Sequence, residues 1–180
     1  MCEKLNSDIK SSIEYWRYWF RLSFLDIKNR YRRTFLGPLW VTGTVAVIIF
    51  AVGPLYGVIF NRPIDTYLLH LATGMTFWLF LSSTISELST CFIDNTSIIK
   101  NSDKPFYIFL FRIISRNTII LFHNLIIPIL IALYYGFLSL NILFLLPVII
   151  ILLLFLCIIA LPVSLLSTRY RDLIPLIQNV

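Results

Sequence analysis

From Asn117 to Thr168 the sequence contains no Asp, Glu, Lys or Arg. A single helix of that length, rising about 1.5 Å per residue, would far overrun the ~30 Å hydrocarbon core of a bilayer. The run must therefore fold back on itself. Its one turn-like stretch is Gly136-Phe137-Leu138-Ser139-Leu140-Asn141, which predicts two spans, over residues 117–135 and 142–167. Pro128, Pro147 and Pro162 interrupt them, which membrane helices tolerate when neighbours satisfy the freed backbone groups.

Two further apolar runs precede this one. Residues 39–60 read as span 1 and residues 66–86 as span 2, separated by Asn61-Arg62-Pro63-Ile64-Asp65. Gly53 and Gly57 make a small-xxx-small pair that lets another helix approach closely, and Pro54 predicts a kink. With 58% hydrophobic residues, a soluble domain of this size could not hide its apolar surface. The fold class is all-α: a polytopic transmembrane helix bundle of four spans behind an N-terminal amphipathic helix.

That helix is expected over residues 8–33. Ile9, Ile13, Trp16, Phe20, Phe24, Ile27 and Tyr31 recur at spacings of three and four, forming one stripe. Lys10, Arg17, Arg21, Lys28 and Arg32 form a stripe beside it. Two readings fit: a helix in the membrane interface, with cations level with phosphates, or a helix packed on a partner subunit. Residues 1–37 are taken as the N-terminal region and 38–180 as the transmembrane domain. The mixed-charge N-terminus, with its first apolar run starting only near Gly37, does not read as a cleavable signal peptide.

Between spans 2 and 3, Glu87, Asp94, Lys100, Asp103, Lys104, Arg112 and Arg116 break the apolar pattern. Ile98, Ile99, Phe106, Ile108 and Phe109 nevertheless need something to pack on. A short helix is expected around Asp94–Lys100, capped by Asp94 or Asn95. A break at Pro105 and a surface helix leading into span 3 follow it. Of the 15 Lys and Arg, all but Arg62 fall in the N-terminal region, this segment or the tail. The positive-inside rule then makes both termini cytoplasmic. The net charge of +6, which in a soluble chain would suggest nucleic acid, here points to anionic lipid instead.

The sequence contains no Walker phosphate loop, GxSxG or HExxH, and no paired carboxylates within a span. Cys2, Cys91 and Cys157 imply neither a disulfide framework nor a metal site. His123-Asn124 reads as an interhelical hydrogen-bonding pair or a proton relay. Neither an enzyme nor a bound cofactor or metal is expected. The pattern fits a permease or scaffold energised from elsewhere.

The stretch Arg30-Tyr31-Arg32-Arg33-Thr34-Phe35-Leu36-Gly37-Pro38-Leu39-Trp40 resembles the lead-in to the first span of ABC-type polysaccharide export permeases, notably those for O-antigen chains. Gly53-Pro54-Leu55-Tyr56-Gly57, Gly74-Met75-Thr76-Phe77-Trp78, Phe92-Ile93-Asp94, Ile98-Ile99-Lys100, Arg116-Asn117 and His123-Asn124-Leu125 continue the resemblance, and Arg169-Tyr170-Arg171-Asp172-Leu173 closes it. It implies a paired permease in a bacterial inner membrane, driven by a separate ATPase and moving a lipid-linked polysaccharide. The ATPase would meet a coupling helix at Asp94, Asn95, Ile98, Ile99 and Lys100, within residues 91–116. Arg17, Arg21, Lys28, Arg30, Arg32 and Arg33 would meet the substrate's diphosphate or ordinary lipid phosphates at the membrane entrance. Phe77, Trp78 and Phe80 would line a sugar path by stacking, or simply pack. The family has about six spans, so a C-terminally incomplete chain is expected. The competing readings are a non-transporting anchor or assembly protein, and an exporter of another glycan such as capsule or teichoic acid.

Overall fold

α4, Ile64–Asp94, is the helix on which the others are assembled. Its buried residues recur at nearly every fourth position: Leu68, Ala72, Thr76, Phe80, Thr84 and Leu88. That spacing draws one ridge down the helix, the geometry that interdigitates with neighbouring helices. The hydroxyls of Thr76 and Thr84 donate to the Ala72 and Phe80 carbonyls at 2.8 and 2.6 Å, so the ridge buries no unpaired threonine. The structure is a computed structural model, and it describes residues 2–30, 32, 39–101, 103–137 and 143–179.

In chain order the helices are α1 (Cys2–Glu14), α2 (Trp16–Arg30), α3 (Leu39–Ile59), α4, α5 (Thr96–Lys100), α6 (Tyr107–Asn124), α7 (Ile126–Tyr134), α8 (Leu145–Arg169) and α9 (Leu173–Gln178). The described residues include no strand. α3, α6 and α8 pack around α4, α7 continues α6 past Leu125, and α2 lies along α6. Four segments are long and apolar enough to cross a membrane: Trp40–Ile59, Ile64–Asp94, Tyr107–Tyr134 and Leu145–Arg169. Their outer faces stay bare, as at Val47, Val58, Ile151 and Ile158. The chain is thus an all-α transmembrane bundle.

Two turns at one end stop their helices in the same way. Asn61 has φ 49°, while Arg62 N–H donates to Gly57 O at 3.0 Å and Asn61 N–H to Val58 O at 3.2 Å. Gly136 has φ 72°, with Phe137 N–H on Ala132 O at 2.8 Å and Gly136 N–H on Leu133 O at 3.4 Å. Both are Schellman motifs, in which a left-handed residue lets the last carbonyls find donors. Gly53 and Gly57 are buried toward α4: a Cβ on Gly53 would meet Leu68, and one on Gly57 would meet Ile64 at 3.4 Å.

Several boundaries differ from the sequence reading. The expected helix over 8–33 is two helices, parted at Tyr15. α4 does not end near Ser86 but runs to Asp94, and the third rod begins at Tyr107 rather than at Asn117. The reason is the same in both cases: Glu87, Arg112 and Arg116 are paired with one another or with Asp26, so their charges do not have to leave the helix. Pro147 lies in the first turn of α8, where its missing N–H disrupts nothing. The short helix α5 starts at Thr96, and no side chain caps it. Asn95 instead donates backwards from Nδ2 to Cys91 O at 2.7 Å, and the Thr96 hydroxyl lies 2.8 Å from the Phe92 and Ile93 carbonyls.

Candidate functional site

Where α2, α4 and α6 meet, five charged side chains are joined by ion pairs, in a ring that the turn of α2 between Asp26 and Arg30 closes. α2 supplies Asp26 and Arg30, and α6 supplies Arg112 and Arg116. Each pair is four residues apart, and so lies on one helix face. α4 supplies Glu87. Arg112 grips Asp26 with two nitrogens, Nε to Oδ2 at 2.7 Å and Nη2 to Oδ1 at 2.6 Å. Arg116 bridges both acids, with Nη1 to Asp26 Oδ2 at 3.1 Å and Nη2 to Glu87 Oε2 at 2.5 Å. Arg30 Nη2 completes the circuit to Glu87 Oε1 at 2.9 Å, and Asn117 Nδ2 donates to Glu87 Oε2 at 2.6 Å. Three guanidiniums against two carboxylates leave one excess positive charge.

A hydroxyl contact braces the ring from one side. Ser23 is fully buried, and its Oγ lies 2.8 Å from Ser115 Oγ, Arg112 O and Trp19 O alike. Trp19 packs on Phe111 with ring centroids 5.6 Å apart, and its Nε1 donates to Ser12 O at 3.0 Å. Lys104 Nζ stands 3.3 Å from the centre of the Tyr18 ring, a cation–π contact. The face that α1 and α2 turn inward therefore carries Ser12, Trp19, Ser23, Asp26 and Ile27. The aromatic stripe, with Ile13, Trp16, Phe20 and Phe24, is exposed on the outside.

Two clefts adjoin the ring's end of the bundle. One, of about 360 Å³, has Arg30, Glu87 and Asn117 at its polar end and Val45, Ile48, Leu79 and Phe80 along its walls. The other, of about 760 Å³, opens between α1, α5 and the end of α8, with Asp8 and Lys100 among largely apolar residues. Deeper in the bundle, Thr42 Oγ1 donates to Asn124 Oδ1 at 3.0 Å, tying α3 to α6, and Ser164 Oγ donates to Leu88 O at 2.7 Å, tying α8 to α4. His123 Nδ1 stays within its own helix, 3.0 Å from Ile119 O.

The residues singled out from sequence are distributed unevenly. Of the basic set, Arg17, Arg21, Lys28 and Arg32 are exposed, and Arg17 lies over the Trp16 ring. Arg30 is bound into the ring, and Arg33 lies outside the described residues. Asp94 and Lys100 are exposed at the ends of α4 and α5, Ile98 is 48% exposed, and Ile99 is half-buried against the α4–α6 core. The three aromatics do not share a surface. Phe80 is 4% exposed, Phe77 packs against the core, and Trp78 faces outward. No group of three or more His, Cys, Asp or Glu suited to a metal occurs among the described residues.

Arg112, Arg116 and Glu87 are legible in the sequence as charges but not as partners, and the place of Asp26 among them is not legible there. A signal was present. Asp26 is the single acid among the cations from Arg17 to Arg33, and ionisable residues on a spanning rod demand partners. Comparison with protein-family models, with curated proteins and with solved structures returned no match.

Proposed function

We propose that this chain is the transmembrane permease subunit of an ATP-driven exporter. It moves a lipid-linked polysaccharide of the O-antigen type across a bacterial inner membrane, and hydrolysis is confined to a partner ATPase. A second copy completes the pathway. The observation that carries this reading is α5, a five-residue helix with a half-exposed isoleucine set between the second and third spanning rods. It lies at the end of the bundle that holds, among the described residues, the basic side chains other than Arg62, the cytoplasmic end by the positive-inside rule. A short apolar-faced helix at that end suits docking by a soluble ATPase. The sequence motifs on either side of spans 1 and 4 supply the polysaccharide-exporter part of the reading.

The test is capture of the co-expressed ATPase on the tagged chain. Ile98→Asp is expected to abolish capture while leaving the bundle folded. Ile99→Asp is a poorer probe, because Ile99 also packs inward. Full capture by the Ile98→Asp variant would remove α5 as the docking element. Unchanged surface glycan after deletion of the gene would favour the anchor reading instead.

A further inference from the structure

We infer that the charge ring is a latch. Closed, it holds α2 on the bundle by that helix's polar face; open, it leaves α2 on the membrane surface by its aromatic face alone. Two features on neighbouring faces of one helix support this. The inner face makes its long-range attachments through Ser23, Asp26 and Arg30, with Trp19 on Phe111 as its aromatic contact. The outer face exposes Trp16, Phe20 and Phe24 beside Arg17 and Arg21, the make-up of a helix that binds an anionic bilayer surface. Losing the inner attachments would therefore not release α2 into water.

The geometry makes opening cooperative. Asp26 reaches α6 and Arg30 reaches α4 from a single turn of α2, so the helix cannot lift from one without straining the other. Exposure grades across the ring, from 48% at the Arg30 side chain to 14% at Arg116. Opening thus starts at the Arg30–Glu87 bridge and ends at Asp26. When α2 leaves with Asp26 and Arg30, its two ring charges cancel. Arg112, Arg116 and Glu87 remain on the bundle with one excess positive charge. A partly buried guanidinium without its carboxylate is unfavourable, which sets closed as the resting state. The latch is a property of α2, α4 and α6 and holds whatever the chain transports.

The experiment is disulfide trapping in the full chain, with Cys2, Cys91 and Cys157 replaced by serine or alanine, reconstituted in bilayers. Ser23→Cys with Ser115→Cys puts sulfurs where two hydroxyls are 2.8 Å apart; a disulfide needs about 2.05 Å. This pair is expected to cross-link rapidly on oxidation. Adding Asp26→Asn and Glu87→Gln should slow cross-linking about tenfold, the change that 1.4 kcal/mol corresponds to. Asp26→Glu with Glu87→Asp should keep most of the parent rate. Thr42→Cys with Asn124→Cys reports on the bundle and should cross-link equally in all backgrounds. If the neutral double variant traps the engineered thiols of α2 and α6 as fast as the parent does, the latch is overturned. If that variant loses the control cross-link, Arg30→Gln takes its place. Trapping between α2 and α6 must then slow with the control intact, and an unchanged rate overturns the latch equally.

Discussion

Asp26 and Arg112, 86 residues apart in sequence, face each other in a two-toothed grip of 2.6 and 2.7 Å. An aspartate on a largely aromatic surface helix would otherwise be an odd choice, and two arginines one turn apart on a spanning rod odder still. Each is accounted for by the other. The pair makes the N-terminal helix part of the bundle.

Replacing Asp26 with alanine leaves Arg112 and Arg116 without their shared acid. Removing one partner of a buried pair costs about 3–5 kcal/mol. With side-chain exposures of 14–23%, some water screening remains, and a loss of about 2–3 kcal/mol is expected. Unfolding in mixed micelles by a denaturing detergent measures it. A loss under about 0.5 kcal/mol, the level of an exposed pair, would reduce the ring to surface decoration.

Arg116→Lys keeps the charge but not the fork. Arg116 reaches Asp26 with one nitrogen and Glu87 with another, and a lysine ammonium is a single point that cannot span both acids. The variant is expected to be less stable by about 1.5–3 kcal/mol, since one charged hydrogen bond of that size is lost. The same unfolding assay reads it, and parity with the parent would show that charge alone suffices.

Thr42→Val removes the hydroxyl that joins α3 to Asn124 while keeping the side chain's shape. Hydrogen bonds between membrane helices average about 0.6 kcal/mol and reach about 1.7. A loss in that range is expected. Thermal unfolding followed by far-ultraviolet dichroism gives the comparison.

Gly53→Ala and Gly74→Ala should move stability in opposite directions. At Gly53 a new methyl runs into the Leu68 side chain, whereas nothing stands within 4 Å of a Cβ at Gly74. Overpacking typically costs about 1–3 kcal/mol, and the flexible leucine tip places Gly53→Ala at the low end. Gly74→Ala gains about 0.5–1 kcal/mol by restricting the unfolded backbone. Destabilisation at Gly74 would instead mean that another surface is pressed against that glycine.

The four spanning rods were legible because medium dictates them: a charge-free run longer than the bilayer must turn, and Gly136 and Asn61 mark where. The apolar stripe of the N-terminal helix was legible as well, through Trp16, Phe20 and Phe24. Its partner face was not, since Ser23 and Asp26 acquire meaning only from Ser115 and Arg112, far along the chain. The same limit explains why the helices run past Glu87 and begin before Asn117. Charge reads as a stop signal unless its counter-charge is known, and here the counter-charges arrive from other helices. Phe77, Trp78 and Phe80 looked alike in sequence. Only the helical register separates Phe80, on the ridge with Thr76 and Thr84, from the outward Trp78.

The reach from Asp26 to Arg112 also sets an order of events during synthesis. At roughly 5–20 residues per second, the arginine leaves the ribosome about 4–17 s after the aspartate. Throughout that interval α2 has no α6 to hold, and Trp16, Phe20 and Phe24 are all it can use. The bare aromatic face is then the apolar surface that a nascent helix presents until the third rod arrives beside it.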